Sequence, residues 1–320
     1  MTARVRVPAS SSNLGAGFDC IGVALDRWLV AWLTPTAASE ISIRRRGLLA
    51  AVSVAVEDDL LARGFRAACA AAGAPTTGAT IDATSDIPVG CGLGSSAAAI
   101  VAGVLLADAA LELHLTRQQV VEIAAAIEGH PDNVAPAVYG GAVLSVRTAA
   151  GFVSTSLKVA DGLELLLVVP PFPSDTKAAR AALPKTLPHS DAVLAASRAA
   201  ALVQGLASGD AALLGAALDD VLHVPFRRGR IPGYDAVVAA AQNAGAFGAT
   251  LSGAGSAIVA IAPRERSAAV GAAMIAAWRD LGIEAELIKC TSTVAGATVI
   301  AATHDVRRTT HDSTVIKELL

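Results

Sequence analysis

The apolar positions of the chain fall into short stretches whose period changes along the sequence. Residues 4–7, 28–33 and 41–44 are rich in β-branched or aromatic side chains and predict strands, and 79–84 alternates as a half-buried strand does. Over 58–72 the apolar residues recur at helical spacing and stop before Gly73 and Pro75, which predicts a helix. The small apolar run 97–111 predicts another. It is too short to cross a bilayer and carries Asp108, so it is expected to lie buried in protein. A helix capped by Thr116 is expected over 117–127, followed by a hairpin of 141–147 and 151–158 around Thr148, Ala149 and Ala150.

A second unit is expected from Val159. The strand 163–169 is halted by Pro170 and Pro171, and helical spacing returns over 192–207, 211–222 and 234–244. Residues 250–252 and 257–262 predict strands around a glycine turn, 264–281 an amphipathic helix, and 283–290 and 298–302 two strands that close the unit. From His304 the chain turns polar and reads as a mobile tail. The division is therefore 1–158, 159–303 and a tail over 304–320. Helices and strands mix without strict alternation, which predicts an α+β fold over a doubly wound sheet.

Composition narrows the function classes. A chain of 320 residues is long enough for two domains, and 53% hydrophobic with 17% charged residues describes a packed protein, not a disordered one. The formal net charge of -3 argues against general nucleic-acid binding, and 3% aromatic residues leave little for base stacking. Cys20, Cys69, Cys91 and Cys290 lack metal-ligand spacing and form no disulfide framework, and the N-terminus has no apolar signal core. A reduced, cytoplasmic setting with no membrane partner is expected.

The candidate chemistry centres on Pro88-Val89-Gly90-Cys91-Gly92-Leu93-Gly94-Ser95-Ser96-Ala97-Ala98. Glycines let a backbone turn sharply and approach a ligand, and the serines fall at the first turn of the helix that follows. Free amides and the positive end of the helix dipole make such a place an anion site. A P-loop is excluded by the missing lysine. A dinucleotide fingerprint fits Gly92 to Ala97 formally, but Ser85 to Pro88 separate the strand from the glycines. A plain turn that only permits helix packing is the third reading.

The whole string resembles the phosphate-binding loop of the GHMP kinases. Pro8 to Asp19 and Leu251-Ser252-Gly253-Ala254-Gly255-Ser256 resemble two further motifs of that family, in order, with Ser256 where proline is usual. Glu128-Gly129-His130-Pro131-Asp132-Asn133, Thr176 with Arg180, and Pro225-Phe226-Arg227 are similar to its homoserine kinase branch. The resemblance runs from about Arg4 to Thr303. It implies an N-terminal domain like ribosomal protein S5 domain 2 and a ferredoxin-like C-terminal domain. It also implies ATP and Mg2+, L-homoserine as the acceptor, O-phospho-L-homoserine on the route to threonine as the product, and a homodimer as the expected assembly.

On that resemblance the ATP contacts are Pro88, Gly90, Cys91, Gly92, Leu93, Gly94, Ser95, Ser96 and Ala97, with Asp59 at the adenine where the family usually has asparagine. Ser96 and Glu128 are the implied magnesium ligands. Asn13, Asp19, Asn133, Thr176, Arg180, Arg227 and Gly253 are the implied substrate contacts, and Asn133, Asp19, Ser96 and Glu128 the catalytic set. The arginine fork suits a carboxylate. Asn133 cannot accept a proton at neutral pH, so transfer is expected without a strong base. Beside glycines, Asn13 and Asp19 also read as simple turn formers. His130 reads as structural, and Cys91, near helix amides, as a reactive thiol. A different small alcohol, a binding protein without catalysis, and a nicotinamide-dependent dehydrogenase are the competing readings.

Overall fold

The structure, a computed structural model, describes residues 2–38, 40–290 and 294–300. β1 (Ala3–Asn13) and the long β2 (Gly17–Pro35) pair antiparallel, with register shifts at Pro8/Ala9 and Ser12/Asn13. β3 (Ile41–Gly47), α1 (Leu60–Ala71) and β4 (Ala79–Ser85) follow, β3 running parallel to β4 and β4 antiparallel to β2. α2 (Ser95–Leu111), α3 (Arg117–Glu128) and α4 (Val134–Tyr139) pack over this sheet, and β5 (Ala142–Thr148) and β6 (Gly151–Leu157) form the expected hairpin on β2. α2 is buried almost all round, with Ala97, Ile100, Val101, Val104 and Leu106 all fully enclosed. That matches its uniformly apolar sequence, since a helix with no polar stripe needs protein on every side.

The second unit begins with β7 (Leu163–Val169), then α5 (Thr176–Ala181), α6 (His189–Ser208), α7 (Ala211–Leu218), α8 (Val224–Arg227) and α9 (Tyr234–Asn243). β8 (Gly248–Leu251), β9 (Ile258–Pro263), α10 (Ser267–Arg279) and β10 (Glu286–Cys290) complete an antiparallel sheet in the order β10-β7-β9-β8. Counted within the unit that order is 4-1-3-2, the split βαβ arrangement of ferredoxin-like domains. Its core gathers Leu166, Val168, Val237, Met274 and Trp278 between this sheet and α9 and α10.

The last strand departs from its expected place. β11 (Thr298–Ile300) does not close the second unit but pairs antiparallel with β1, Val299 opposite Val5. The preceding segment is drawn back along α4: Val294 O accepts from Gly141 N at 2.8 Å, and Ala297 N donates to Ala137 O at 2.8 Å. A three-residue strand shows its backbone state in its residue types but carries no sign of its partner. The expected tail 304–320 lies outside the described residues.

Two other expectations shift. The helix expected over 211–222 stops at Leu218, because Asp220 turns its carboxylate onto the amides of Leu222, His223 and Val224 and so starts α8. The strands expected over 4–7 and 28–33 are longer on the side of the Pro8–Asp19 motif. Ser10, Ser11 and Ser12 are buried strand residues, which polar composition disguises.

Candidate active site

The glycine loop is wedged between the two units by its own carbonyls. Leu93 O accepts from Ser10 N (3.0 Å), Cys91 O from Ala257 N (3.0 Å), Gly92 O from Ser252 Oγ (2.6 Å) and Gly90 O from Ser174 N (2.8 Å). The amides are thereby left facing the other way. Gly94, at φ 66, ends the loop as the N-cap of α2, and the first helical bond runs from Ala98 N to Gly94 O. Ser95, Ser96 and Ala97 therefore carry amides with no intrahelical acceptor. Two glycines are sterically required: a Cβ on Gly94 would lie 2.2 Å from Ser10 Oγ, and one on Gly92 2.2 Å from Ser252 O.

Above this cradle lies an open cleft with a cavity volume of about 70 Å3, walled by residues of both units. Ser96 Oγ donates to Glu128 Oε1 at 2.5 Å, so the first turn of α2 meets the last residue of α3. Burial pushes the Glu128 carboxyl above the ordinary range, against the pull of the Ser96 hydrogen bond. The two side chains present hard oxygen donors beside the loop amides, the donor set that Mg2+ takes.

The carboxamide of Asn133 is held at both ends. Its Oδ1 accepts from Ser10 Oγ (3.0 Å) and its Nδ2 donates to Ser12 Oγ (3.0 Å). Asn13 is fixed in the same way, Nδ2 on Gly253 O (3.0 Å) and Oδ1 taking the amide of Asp19 (3.0 Å). That last bond holds Asp19 at φ 56, a left-handed conformation that Asx residues tolerate better than most. Asp19 then meets Arg180 in a two-pronged pair, both N···O distances 2.9 Å, with both side chains part-exposed. Burial alone would raise the Asp19 carboxyl, but Arg180, with His130 and Arg227 beyond it, holds it below the usual range.

Arg227, at the end of α8, is 2% exposed yet lines the cleft. Its Nε donates to Ala179 O (3.2 Å) and its Nη1 to His223 Nδ1 (3.2 Å) and Gly253 O (3.3 Å). His223 is fully buried, stacks on Phe18 at 4.9 Å between ring centroids and reaches Gly15 O at 3.3 Å with Nε2.

Of the expected residues, Asn13, Asp19, Gly90, Gly92, Gly94, Ser95, Ser96, Glu128, Asn133, Thr176, Arg180, Arg227 and Gly253 all line this one cleft. Asp59 does not. It is the N-cap of α1, with Oδ1 on the amides of Leu61 and Ala62 and Oδ2 paired with Arg45. Both of its oxygens are hydrogen-bonded within the protein, and the residue is buried. Pro88 is outside the lining, and the side chains of Leu93 and Ala97 point into the core. Cys91 is buried with its sulfur toward Val89 O and Phe172 O, and burial raises its thiol pKa, so the expected reactive thiol is not formed.

Sequence reasoning missed Ser10, Ser12, Asp132 and His223. His130 Nδ1 bonds Asp132 Oδ1 at 2.5 Å, both facing the cleft, and although burial would lower it, Asp132 holds the imidazole pKa above its ordinary value. The available signal was position: each of the four lies inside or a few residues from a motif already singled out. Among the described residues no helix is long and apolar enough to cross a membrane.

Residues 59–141 match the family described as GHMP kinases N terminal domain, and 202–280 the GHMP kinases C terminal domain. The chain is similar to the homoserine kinase of Synechococcus sp., 39% identical over 284 residues, covering 88% of this chain and 93% of that one. It is also similar to the homoserine kinase of Gloeobacter violaceus, 42% identical over 86% of this chain and 92% of the relative. Among solved structures, homoserine kinase from Cytophaga hutchinsonii superposes with a TM-score of 0.85 at 31% identity, covering 93% of this chain and 97% of the other. A mevalonate kinase from L. major, at 18% identity and a TM-score of 0.66, shares the fold.

Proposed function

The chain belongs to the GHMP kinases and, among them, to the homoserine kinases, and from that premise we infer that its cleft transfers the terminal phosphoryl group of ATP to the side-chain hydroxyl of L-homoserine. The products are ADP and O-phospho-L-homoserine, on the route to threonine. The observation that carries this reading is a set of charges in the same cleft as the loop glycines: Asp19, Arg180 and Arg227 line it together with Gly90, Gly92 and Gly94. An amino-acid zwitterion satisfies all three, its ammonium on Asp19 and its carboxylate between the two arginines. Binding it exchanges the Asp19–Arg180 pair for two intermolecular pairs. The exchange is inexpensive, since a part-exposed ion pair contributes only about 0–1 kcal/mol.

The phosphates belong over the amides that follow Gly94, where the helix dipole favours negative charge. Ser96 and Glu128 are the residues that would hold Mg2+, which when bound neutralises charge on the phosphates. Asn133 orients and does not deprotonate: an amide is no base, and both of its ends are already hydrogen-bonded. A loose phosphoryl-transfer transition state needs little help from a base, so positioning and preorganised donors supply the acceleration.

A coupled assay of ADP release over a panel of small alcohols tests the reading. L-homoserine is expected to drive turnover and uncharged polyols are not. Arg227→Ala is expected to raise KM for L-homoserine by roughly 10- to 100-fold, the value of a charge-assisted hydrogen bond, with KM for ATP within about twofold. Equal effects on both constants, or turnover of an uncharged sugar, would overturn it.

A further inference from the structure

The side chain that aims Arg227 comes from outside the family motifs. We propose that His223 is a positioning residue for the acceptor site, its Nδ1 lone pair fixing the Arg227 guanidinium so that Nη2 stays turned into the cleft. This rests on the reading of Arg227 as the carboxylate clamp, and it adds the residue that gives the clamp its direction.

The tautomer follows from the partners. Arg227 has only donors, so the ring nitrogen facing it, Nδ1, must be the acceptor. Nε2 faces Gly15 O, which can only accept, so Nε2 carries the hydrogen. Asp220 does not compete for the ring. Its carboxylate is taken by the amides of Leu222, His223 and Val224, and Nε2 lies 3.7 Å from Oδ2. Burial, reinforced by Arg227, keeps the ring neutral, its pKa pushed down to about 4.

The guanidinium is then held on one side only. Nε is bound to Ala179 O, and both hydrogens of Nη1 have acceptors in His223 Nδ1 and Gly253 O. Among the described residues the hydrogen bonds of the guanidinium run through Nε and Nη1 and none through Nη2, and the side chain lines the cleft. The ring also spans the two units. It is stacked on Phe18 and bonded to Gly15 in the N-terminal motif, while it sits at the N-cap of α8, the helix that ends in Arg227. The direction of the clamp is thus referred to the same loop that carries Asp19.

Steady-state kinetics of His223→Leu and His223→Asn test this. The asparagine Oδ1 stands about as far from Cβ as the imidazole Nδ1 does, so it can accept from Nη1; leucine cannot. His223→Leu is expected to raise KM for L-homoserine about tenfold with KM for ATP within about twofold, and His223→Asn to recover most of that loss. A merely structural ring predicts the reverse order, because leucine suits a buried apolar site better than an amide does. In an Arg227→Ala background His223→Leu is expected to add nothing. If Arg227→Ala raises KM and His223→Leu does not, the inference falls and the clamp stands. If Arg227→Ala changes nothing, the clamp itself falls. Should the variants fail to fold, nitrogen NMR of the wild-type histidines decides: a neutral ring protonated at Nε2 is expected, and a proton on Nδ1 at neutral pH overturns the proposal.

Discussion

Burial pushes the His223 imidazole down to about 4 from its ordinary value of 6.5, which makes it a pH-dependent element of stability. The sign follows from proton counting. Between those two values the unfolded chain binds a proton that the folded protein refuses, so stability is full above about pH 6.5 and is lost as pH falls towards 4. The share is on the order of 3 kcal/mol. Urea unfolding at pH 7 and pH 4.5 should show the wild type losing more stability than His223→Asn over that step, and equal losses would refute a buried neutral ring. Nothing in the sequence foretold this, because burial is decided by Phe18 and Gly15, some 200 positions away. Asn13, Asp19, Asn133, Arg180 and Arg227 were legible as members of one cleft through the motifs that resemble the family's; by residue type alone Asn13 and Asp19 read equally well as turn formers. Their hydrogen-bond partners were not: three consecutive buried serines look like any polar stretch until a second strand lies beside them.

At the scale of elements, legibility followed length and uniformity. The buried helix α2 and the β5–β6 hairpin stand as expected, because a run of small apolar residues and a turn between two alternating strands each have one favourable packing. α4, α5 and α8 span four to six residues each, too few for a period to declare itself. They are nonetheless the elements that seat Asn133, Thr176 and Arg227. Asp59, expected at the adenine, is the N-cap of α1 and lies outside the cleft. Asp59→Ala removes a cap and an ion pair with Arg45, and is expected to cost about 1–3 kcal/mol of stability. KM for ATP should stay within about twofold, because the carboxylate is not part of the cleft. Thermal melts and KM measured on the same preparation check both halves, and a several-fold rise in KM for ATP would return Asp59 to the nucleotide.

For the molecule as a whole, the two units were visible but their closure was not. The cleft takes Asp19 and the loop from one unit and Arg227 and Gly253 from the other, so an acceptor bound there ties them together. L-homoserine at about 100 times its Kd should stabilise the wild type by about 2.7 kcal/mol. In a chain of this size that is a rise in Tm of roughly 5 °C. Arg227→Ala, if it weakens binding 10- to 100-fold, should keep only about 0.4–1.4 kcal/mol of it at the same concentration, and an undiminished shift would place the ligand elsewhere. The α+β class follows from the order of elements, whereas the return of β11 to β1 depends on a pairing between positions 299 and 5 that no local pattern encodes.

That pairing has a consequence for biosynthesis. β1 leaves the ribosome nearly 300 residues before the strand that covers its margin, so the first sheet stands with an unsealed side while everything between is being made. Contacts this remote in sequence are slow to form. A nascent chain stalled anywhere before Thr298 leaves that margin bare.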